Sequence, residues 1–169
     1  MAKDKSSKKE SKVSKETKET KEVTSTEIDN YEKRMPALLP FASPLAPKKL
    51  NKKILKTVKK ASKAKHVRRG VKEVVKALRK GEKGIVVVAG DISPPDVISH
   101  LPVLCEDFKV PYVFIPSKED LGSAGATKRP TSCVMVVPGG SKKKADDASK
   151  TEEYREGFDQ IVKEVETIA

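Results

Sequence analysis

The sequence predicts an α/β fold in which a small buried sheet lies between two layers of helices. Two observations lead to this prediction. Continuous β-branched runs such as IVVVA at 85–89 are typical of strands that are buried on both faces. Segments with helical apolar spacing alternate with these runs along the chain. Elements that alternate in this way pack as a three-layer α/β/α sandwich, and 169 residues provide for one such core with tails.

The segments before the core differ from it in composition. Residues 1–30 contain eight lysines, seven acids and nine Ser/Thr, with no aromatic residue. Such a segment buries too little apolar surface to offset the entropy of ordering, so we expect a disordered charged tail. Residues 31–47 place four prolines among apolar side chains, which excludes a regular helix and predicts an extended arm. We expect the arm to lie on the core, and docking on a partner is the alternative.

The predicted core, residues 48–140, begins with two basic amphipathic helices. The first runs from Lys48 to near Lys65, with apolar residues three or four apart and lysines on the opposite face. An extended piece at 66–69 leads to Gly70, and apolar residues at helical spacing then predict a second helix. Gly81 is expected to end this helix, because glycine adopts the left-handed conformation common at helix ends.

Strands and helices alternate in the rest of the core. GIVVVAGD is the first long strand, VPYVFIPS the second and TSCVMVVPGG the third, and KEDLGSAGA is a short helix between the last two. SPPDVISHLPVLCEDF predicts a helix that Ser93 caps, with proline tolerated in its first turn. Pro102 is expected to kink this helix or to break it into two pieces.

The C-terminal part of the sequence predicts a linker and one more helix. Residues 141–150 are polar and predict a linker. Residues 151–169 carry a single apolar stripe at helical spacing, so we expect a helix packed on the core. Thr151 is the expected cap, with acidic residues in the first turn complementing the helix dipole.

Basic charge is concentrated in one region of the sequence. The chain has 36 Lys/Arg against 24 Asp/Glu, a net charge of +12 and a pI near 9.6, which indicates a polyanionic partner. Residues 48–83 contain 16 Lys/Arg and only two acids, a local charge of +14, so the rest of the chain carries −2. This distribution is typical of a binding surface.

Few residues suit catalysis, a cofactor or a metal. Only His66 and His100 are available as an imidazole base, and Cys105 lies five residues from His100 on the predicted helix, pointing about 140° away. There is no GxxxxGK[ST] loop, and GSAGA precedes a strand instead of joining a strand to a helix. Cys105 and Cys133 match no common zinc spacing. We therefore expect neither an enzyme nor a bound cofactor or metal.

Cellular compartment is predicted from the same features. Two cysteines within apolar runs are too few for a disulfide framework and are expected to be reduced and buried. The longest apolar run, at 85–89, is far shorter than the roughly 20 residues that span a bilayer. We therefore expect a soluble intracellular protein.

The stretch RRGVKEVVKALRKGEKG, residues 68–84, contains the main nucleic-acid signal. A helix N-terminus favours phosphate, and Lys72, Lys76 and Lys80 share a helix face beside it. Lysines provide salt-dependent affinity without sequence preference. Glu73 has two interpretations: it accepts hydrogen bonds from base amino groups, or it pairs with neighbouring lysines. The residues alone leave both open, and the few aromatic residues make base stacking on the sheet an unfavoured mode.

Five motifs occur in order between residues 70 and 130: G-x-x-E-x-x-K, HLPxLCED, VPYVF, SK..LG, and the RP before the last strand. Over about residues 36–139, the sequence resembles the kink-turn RNA-binding family of archaeal and eukaryotic ribosomal and small nucleolar ribonucleoprotein proteins. The resemblance implies an α/β/α sandwich with a mixed four-stranded sheet, which adds a short strand at 66–69. It also implies a non-catalytic RNA-binding protein.

The flanking residues 30–65 and the acidic last helix are similar to the H/ACA branch of this family. That likeness implies a nucleolar particle in which an H/ACA guide RNA directs a dyskerin-type pseudouridine synthase to ribosomal RNA. The other implied partners are a small bridging scaffold protein and a glycine-arginine-rich protein. The alternatives are a large-subunit ribosomal protein or box C/D particle subunit that binds kink-turns and, from another class, a basic architectural chromatin protein.

The candidate RNA contacts lie in four short segments. Arg68 and Arg69 are candidates from the basic stretch itself, and the resemblance implies the others. The full set is Arg68, Arg69, Gly70, Lys72, Glu73 and Lys76; Ser93 and Val97; Lys118; and Thr127, Lys128 and Arg129. The resemblance gives no catalytic or metal-binding residue. We expect protein partners to meet the side around 118–127 and the closing helix.

Two of these positions depart from the family pattern. Lys72 stands where kink-turn readers have an asparagine that pairs with sheared G·A bases, and an acidic residue often stands where Ser93 is. Lysine cannot accept a hydrogen bond, whereas an amide both donates and accepts. We therefore expect a protein that grips phosphates but has lost much of the selectivity for kink-turns.

Overall fold

The structure is a computed structural model, and it describes residues 35–138 and 148–168. The predicted disordered tail at 1–30 lies outside these ranges, as do the first residues of the arm and most of the linker. The described residues from Ala37 onward belong to one compact unit. Among the described residues, no helix is both long enough and apolar enough to cross a membrane.

The described chain contains five α-helices and four strands, preceded by a 3-10 turn at Met35–Ala37. In chain order the elements are α1 Lys48–Lys63, β1 Val67–Arg69, α2 Val71–Arg79, β2 Ile85–Ala89, α3 Asp96–Asp107, β3 Tyr112–Ile115, α4 Lys118–Ala124, β4 Cys133–Val136 and α5 Ala148–Ile168. The short strand that the resemblance implied is present as β1.

The four strands form one mixed sheet in the order β1-β4-β2-β3. β4 runs antiparallel to both β1 and β2, and β2 runs parallel to β3. The register pairs Arg69 with Val134, Val88 with Cys133, and Ala89 with Ile115. Consequently β1, β2 and β3 all end at the edge of the sheet where β4 begins.

Helices cover both faces of the sheet. Val87 and Ala89 of β2 join a core cluster with α1, α4 and α5, whereas Val86 and Val88 join a second cluster with α2 and α3. Every residue of β2 is buried, because successive side chains point to opposite covered faces. The predicted α/β/α sandwich with a mixed four-stranded sheet is confirmed.

α3 is one continuous helix in spite of Pro102. Buried Ile98, Leu101 and Cys105 hold the turns before and after the proline against the sheet, so the loss of one backbone hydrogen bond does not divide the helix. The predicted cap is also wrong. The helix begins after Pro95, with no side-chain cap, and Ser93 lies outside it.

α5 packs along α1 and is attached to the sheet near its N-terminal end. The hydroxyl of buried Tyr154 donates to the carbonyl of Val137 (3.0 Å) and lies 2.9 Å from Nδ1 of His66. A Cβ on Gly157 would lie only 3.1 Å from Oγ1 of Thr57, so glycine permits the close approach of the two helices. α5 begins at residue 148, so the predicted cap at position 151 is wrong: that threonine lies inside the helix.

Residues 38–46 lie along the outer edge of β3. The backbone N–H of Phe114 donates to Pro44 (2.8 Å), and its carbonyl accepts from Ala46 (2.9 Å). The N–H of Leu39 donates to the carbonyl of Gly90 (2.9 Å) at the end of β2. The segment therefore pairs with backbone groups of β3 that would otherwise form an open sheet edge.

Candidate nucleic-acid interface

Four segments that are distant in sequence meet at one edge of the sheet. They follow β1, β2 and β3 and precede β4, and backbone hydrogen bonds join them: Gly70 N–H to Cys133 O (2.9 Å), Ala89 N–H to Ser132 O (2.8 Å) and Thr131 N–H to Lys118 O (3.1 Å). We call this surface the loop edge and define it as residues 68–76, 90–97, 117–118 and 127–132. The loop edge contains all twelve candidate RNA-contact residues.

Gly70 forms the turn between β1 and α2. Its φ of 82° and ψ of 156° belong to a backbone region that is essentially restricted to glycine. A Cβ at this position would meet no atom within 4 Å, so the turn is open to an approaching ligand. No side chain caps α2, which leaves first-turn N–H groups facing outward at the positive end of the helix dipole.

The first two turns of α2 present charged side chains to solvent. Lys72, Glu73 and Lys76 are all exposed. Within the described ranges Glu73 forms no ion pair, so the interpretation as a charge pair with neighbouring lysines is not seen in the structure. Its carboxylate lies in the first turn, where it complements the helix dipole and remains available as an acceptor.

An open groove of about 440 Å³ runs along the outer side of α2. Val71 and Val75, both half-buried, provide its apolar surface, and four cationic side chains complete its lining: Lys72, Lys76, Arg79 and Lys80. A lining of this kind contacts the apolar faces of sugars or bases while its rim attracts phosphates.

The loop before β4 is held in shape by Thr127. Its hydroxyl donates to the carbonyl of Arg129 (2.7 Å) and accepts from the Arg129 N–H (3.1 Å). A Cβ on Gly122 would lie 2.4 Å from the Arg129 carbonyl oxygen, so the loop packs directly on the backbone of α4. The loop therefore presents exposed Lys128 and Arg129 from a fixed backbone.

The loop after β2 is attached to the start of α4 through Asp91 and Lys118. The Asp91 carboxylate accepts from the backbone N–H of Lys118 (2.9 Å), and the Lys118 ammonium donates to the Asp91 carbonyl (3.2 Å). Ser117 is buried and caps α4 by accepting from the N–H of Asp120 (3.2 Å). Ser93 and Val97 are exposed beside this attachment. Sequence reasoning missed Asp91 and Ser117, although Ser-x-x-Asp before a helix is a capping signal.

Arg68 and Arg69 both have partners within the chain. Nε of Arg68 lies 3.2 Å from a carboxylate oxygen of Glu82, and Nη1 of Arg69 donates to the carbonyl of Gly125 over 2.8 Å. The hydroxyl of Ser62 donates to the same carbonyl (3.0 Å). Arg68 and Arg69, both candidate RNA contacts, therefore also join β1 to Glu82 and to the end of α4. The sequence pattern did not indicate this structural role.

The two cysteines are buried in the core cluster beneath α2 and α3. Burial, together with the nearby charges of Cys133 and Glu106, raises the pKa of Cys105 from 9.0 to about 12, and burial raises that of Cys133 to about 12. Neither thiol is therefore ionised near neutral pH. In the part of the chain that the structure describes, no group of three or more His, Cys, Asp or Glu side chains is arranged to hold a metal ion.

Comparisons with known proteins give one consistent family. The model described as the "Ribosomal protein L7Ae/L30e/S12e/Gadd45 family" matches residues 52–146. The chain is 65% identical over 165 residues to the H/ACA ribonucleoprotein complex subunit nhp2 of Schizosaccharomyces pombe, covering 98% of this chain and 97% of the relative. It is 71% identical over 141 residues to the subunit NHP2 of Saccharomyces cerevisiae, covering 83% of this chain and 90% of the relative.

A bovine relative and a solved structure extend these likenesses. The H/ACA ribonucleoprotein complex subunit 2 of Bos taurus is 49% identical over 138 residues, covering 82% of each chain. The structure of the Giardia lamblia 15.5kD RNA binding protein superposes with a TM-score of 0.63 at 32% identity, covering 78% of this chain and all of that one.

Proposed function

The chain belongs to the ribosomal protein L7Ae/L30e/S12e/Gadd45 family and is a non-catalytic RNA-binding subunit of an H/ACA ribonucleoprotein, and we propose that it holds the guide RNA at the loop edge. In this role it supports guide-directed pseudouridylation of ribosomal RNA in the nucleolus. A synthase partner catalyses the pseudouridylation, and this chain positions the RNA.

The convergence of four loop segments beside the uncapped start of α2 carries this proposal. Lys76, Lys128 and Arg129 reach this surface from different parts of the chain, and Gly70 leaves room for a phosphate at the helix N-terminus. Charges gathered from separate segments suit a folded RNA, whose backbone turns through space, better than a straight duplex. Phosphate contacts of this kind supply affinity that falls steeply with salt.

In this proposal the loop edge binds RNA mainly through its phosphates and recognises few of its bases. Lys72 supplies a cation where the kink-turn readers have an amide, and a lysine ammonium cannot accept a hydrogen bond from a base. Glu73 keeps its accepting carboxylate without an ion pair among the described residues, so it is the remaining candidate for contact with base amino groups. Selectivity then depends on protein partners that place this subunit on its RNA.

Protein partners meet surfaces away from α2 and α3 in this proposal. The candidates are the pseudouridine synthase, the small bridging scaffold protein and the glycine-arginine-rich protein of the particle. The exposed side of α5 supports this assignment because its charge is mixed: Glu156, Asp159 and Glu166 lie there with Arg155 and Lys163, so it lacks the excess of positive charge that suits RNA. The segment 118–127 lies on the same side of the sheet as α5.

Sequencing the RNA that co-purifies with the tagged full chain tests the proposed particle. Enrichment of H/ACA guide RNAs is the expected result. Enrichment of box C/D RNAs or of large-subunit ribosomal RNA alone would assign the chain to another particle. Competition between structured RNA and duplex DNA tests the chromatin alternative, and equal competition by the DNA would favour it.

A further inference from the structure

The outer face of α1 carries a straight row of lysines. Lys49, Lys52, Lys56, Lys59 and Lys63 are spaced alternately by three and four residues, so they lie within about 80° of arc on the side opposite the buried residues. We call this row the lysine stripe. α1 contains eight lysines and no acidic residue. Its outer face is therefore uniformly positive.

Ion pairs among the described residues do not account for the C-terminal half of the stripe. Lys53, on the flank of the stripe, pairs with Glu164 of α5. Among the described residues, however, Lys56, Lys59 and Lys63 form no ion pair. Lysines at these spacings repel one another along a helix, and protein surfaces usually mix both signs of charge. Complementing the helix dipole explains lysine only in the last turn.

The stripe leads away from the loop edge. The end of α1 is attached to the end of α4, because Ser62 donates to the carbonyl of Gly125 (3.0 Å), and the loop that presents Lys128 and Arg129 follows directly. From its first to its last lysine the stripe extends about 21 Å at 1.5 Å per residue. That length is enough to follow several successive phosphates of one strand.

We propose that RNA held at the loop edge continues across α1, where the lysine stripe binds the phosphates of the flanking stem. This inference rests on the proposed function, and it adds a second surface, on the opposite helical layer, that none of the four loop-edge segments contains. The contacts are to backbone phosphates, so they increase affinity and salt dependence without adding sequence preference. Their use requires an RNA long enough to reach past the loop edge.

The test uses two hairpins that share one kink-turn and differ only in stem length, the longer having ten additional base pairs. Binding of the full chain is measured across a series of salt concentrations. The stripe variant combines Lys56→Gln, Lys59→Gln and Lys63→Gln. The control variant makes the same change of charge at positions outside both surfaces, with Lys83→Gln, Lys109→Gln and Lys163→Gln. Positions 83 and 109 precede β2 and β3, at the opposite edge of the sheet, and position 163 lies on α5.

The wild-type chain is expected to bind the long hairpin at least about tenfold more tightly than the short one at 0.1 M salt, with a salt slope steeper by about 2. The stripe variant should lose this preference for the long hairpin and should bind the short hairpin as the wild type does. Its melting temperature should be equal or higher, because repulsion between the lysines is removed. The control variant should keep the preference.

Three results would overturn the stripe and leave the proposed function standing. In the first, the wild type binds both hairpins equally well. In the second, the stripe variant matches the wild type on the long hairpin. In the third, the stripe variant loses affinity equally for both hairpins. If the wild-type chain binds neither hairpin, the proposed function itself fails. The short hairpin also reports whether the stripe variant is folded, so a folding defect is not mistaken for a lost contact.

Discussion

Nη1 of Arg69 donates a hydrogen bond to the carbonyl oxygen of Gly125 over 2.8 Å, which joins the last residue of β1 to the end of α4. The loop 127–132 follows two residues later and presents Lys128 and Arg129. A basic residue at the loop edge therefore orders the neighbouring loop. Arg69 was expected to contact RNA, and we propose from this bond that it acts instead by positioning the loop.

Replacing Arg69 with glutamine should loosen the loop without removing a phosphate contact. The bond comes from a charged donor at an exposed position, so its loss is expected to lower the free energy of unfolding by about 1 kcal/mol. RNA affinity should fall several-fold while the salt slope stays that of the wild type. Lys128→Gln is the matched comparison and should reduce the slope by about 1. A reduced slope in Arg69→Gln would show that Arg69 itself contacts phosphate.

Replacing Gly70 with alanine should strain the turn before α2. A non-glycine residue at φ 82° and ψ 156° costs about 1–3 kcal/mol, although open space surrounds the position. Denaturant unfolding is expected to show that loss, and RNA affinity should also fall because the first turn of α2 shifts. Gly81→Ala, at the other end of α2 with φ 71°, is the control. It should destabilise the protein but leave RNA binding to the folded chain intact.

Replacing Lys72 with asparagine should restore part of the selectivity for kink-turns. The amide can pair with sheared G·A bases, and a base-reading contact of this kind discriminates by about 1–3 kcal/mol. We expect the ratio of affinities for a kink-turn and for a hairpin lacking the G·A pairs to rise accordingly. Lys80→Asn, at the C-terminal end of α2 and two turns beyond Lys72, should leave the ratio unchanged. An unchanged ratio in Lys72→Asn would mean that selectivity is not set at this position.

The buried thiols predict a loss of stability at alkaline pH. Folding raises the pKa of Cys105 and Cys133 from 9.0 to about 12, so the folded chain keeps both protons at a pH where the unfolded chain loses them. Their contribution is complete below about pH 9 and is lost as the pH rises towards 12. Unfolding free energy should fall by about 1 kcal/mol per thiol between pH 8 and pH 10.

The Cys105→Ala and Cys133→Ala double variant isolates this effect from the titration of other groups. It should show a smaller decrease in unfolding free energy over the same range. Thiol reagents at pH 8 should modify the wild-type chain only after denaturation. Rapid modification of the native protein would contradict the burial of the two thiols.

Most of the fold was predictable because the spacing of apolar residues along the sequence indicates which side chains are buried. The run at 85–89 is apolar at every position, and the strand is buried on both faces. The errors came from tertiary packing, which local signals do not show. Pro102 was expected to kink α3 or to break it into two pieces; the helix is not broken, because Ile98, Leu101 and Cys105 hold it against the sheet. The cap predicted at Ser93 failed because the helix begins only after Pro95.

The sequence nominated candidate residues that the structure brings to one edge of the sheet, but it did not indicate the bonds between them. Charge and resemblance identified Lys76, Lys128 and Arg129, all of which are exposed at the loop edge. The bonds that support them depend on backbone atoms, such as the carbonyls of Gly125 and Asp91, which any sequence provides. For this reason the partner of Arg69 could not be inferred from residue types.

The salt dependence of RNA binding tests the loop edge most directly. The wild type, an edge variant with Lys72→Ala, Lys76→Ala and Arg129→Ala, and a control variant with Lys83→Ala, Lys109→Ala and Lys163→Ala are compared on one kink-turn RNA. If the loop edge is the RNA surface, the edge variant loses affinity and about 2–3 from the salt slope, whereas the control stays near the wild type. An edge variant with wild-type affinity and slope, or a control variant with the same loss, would contradict the assignment.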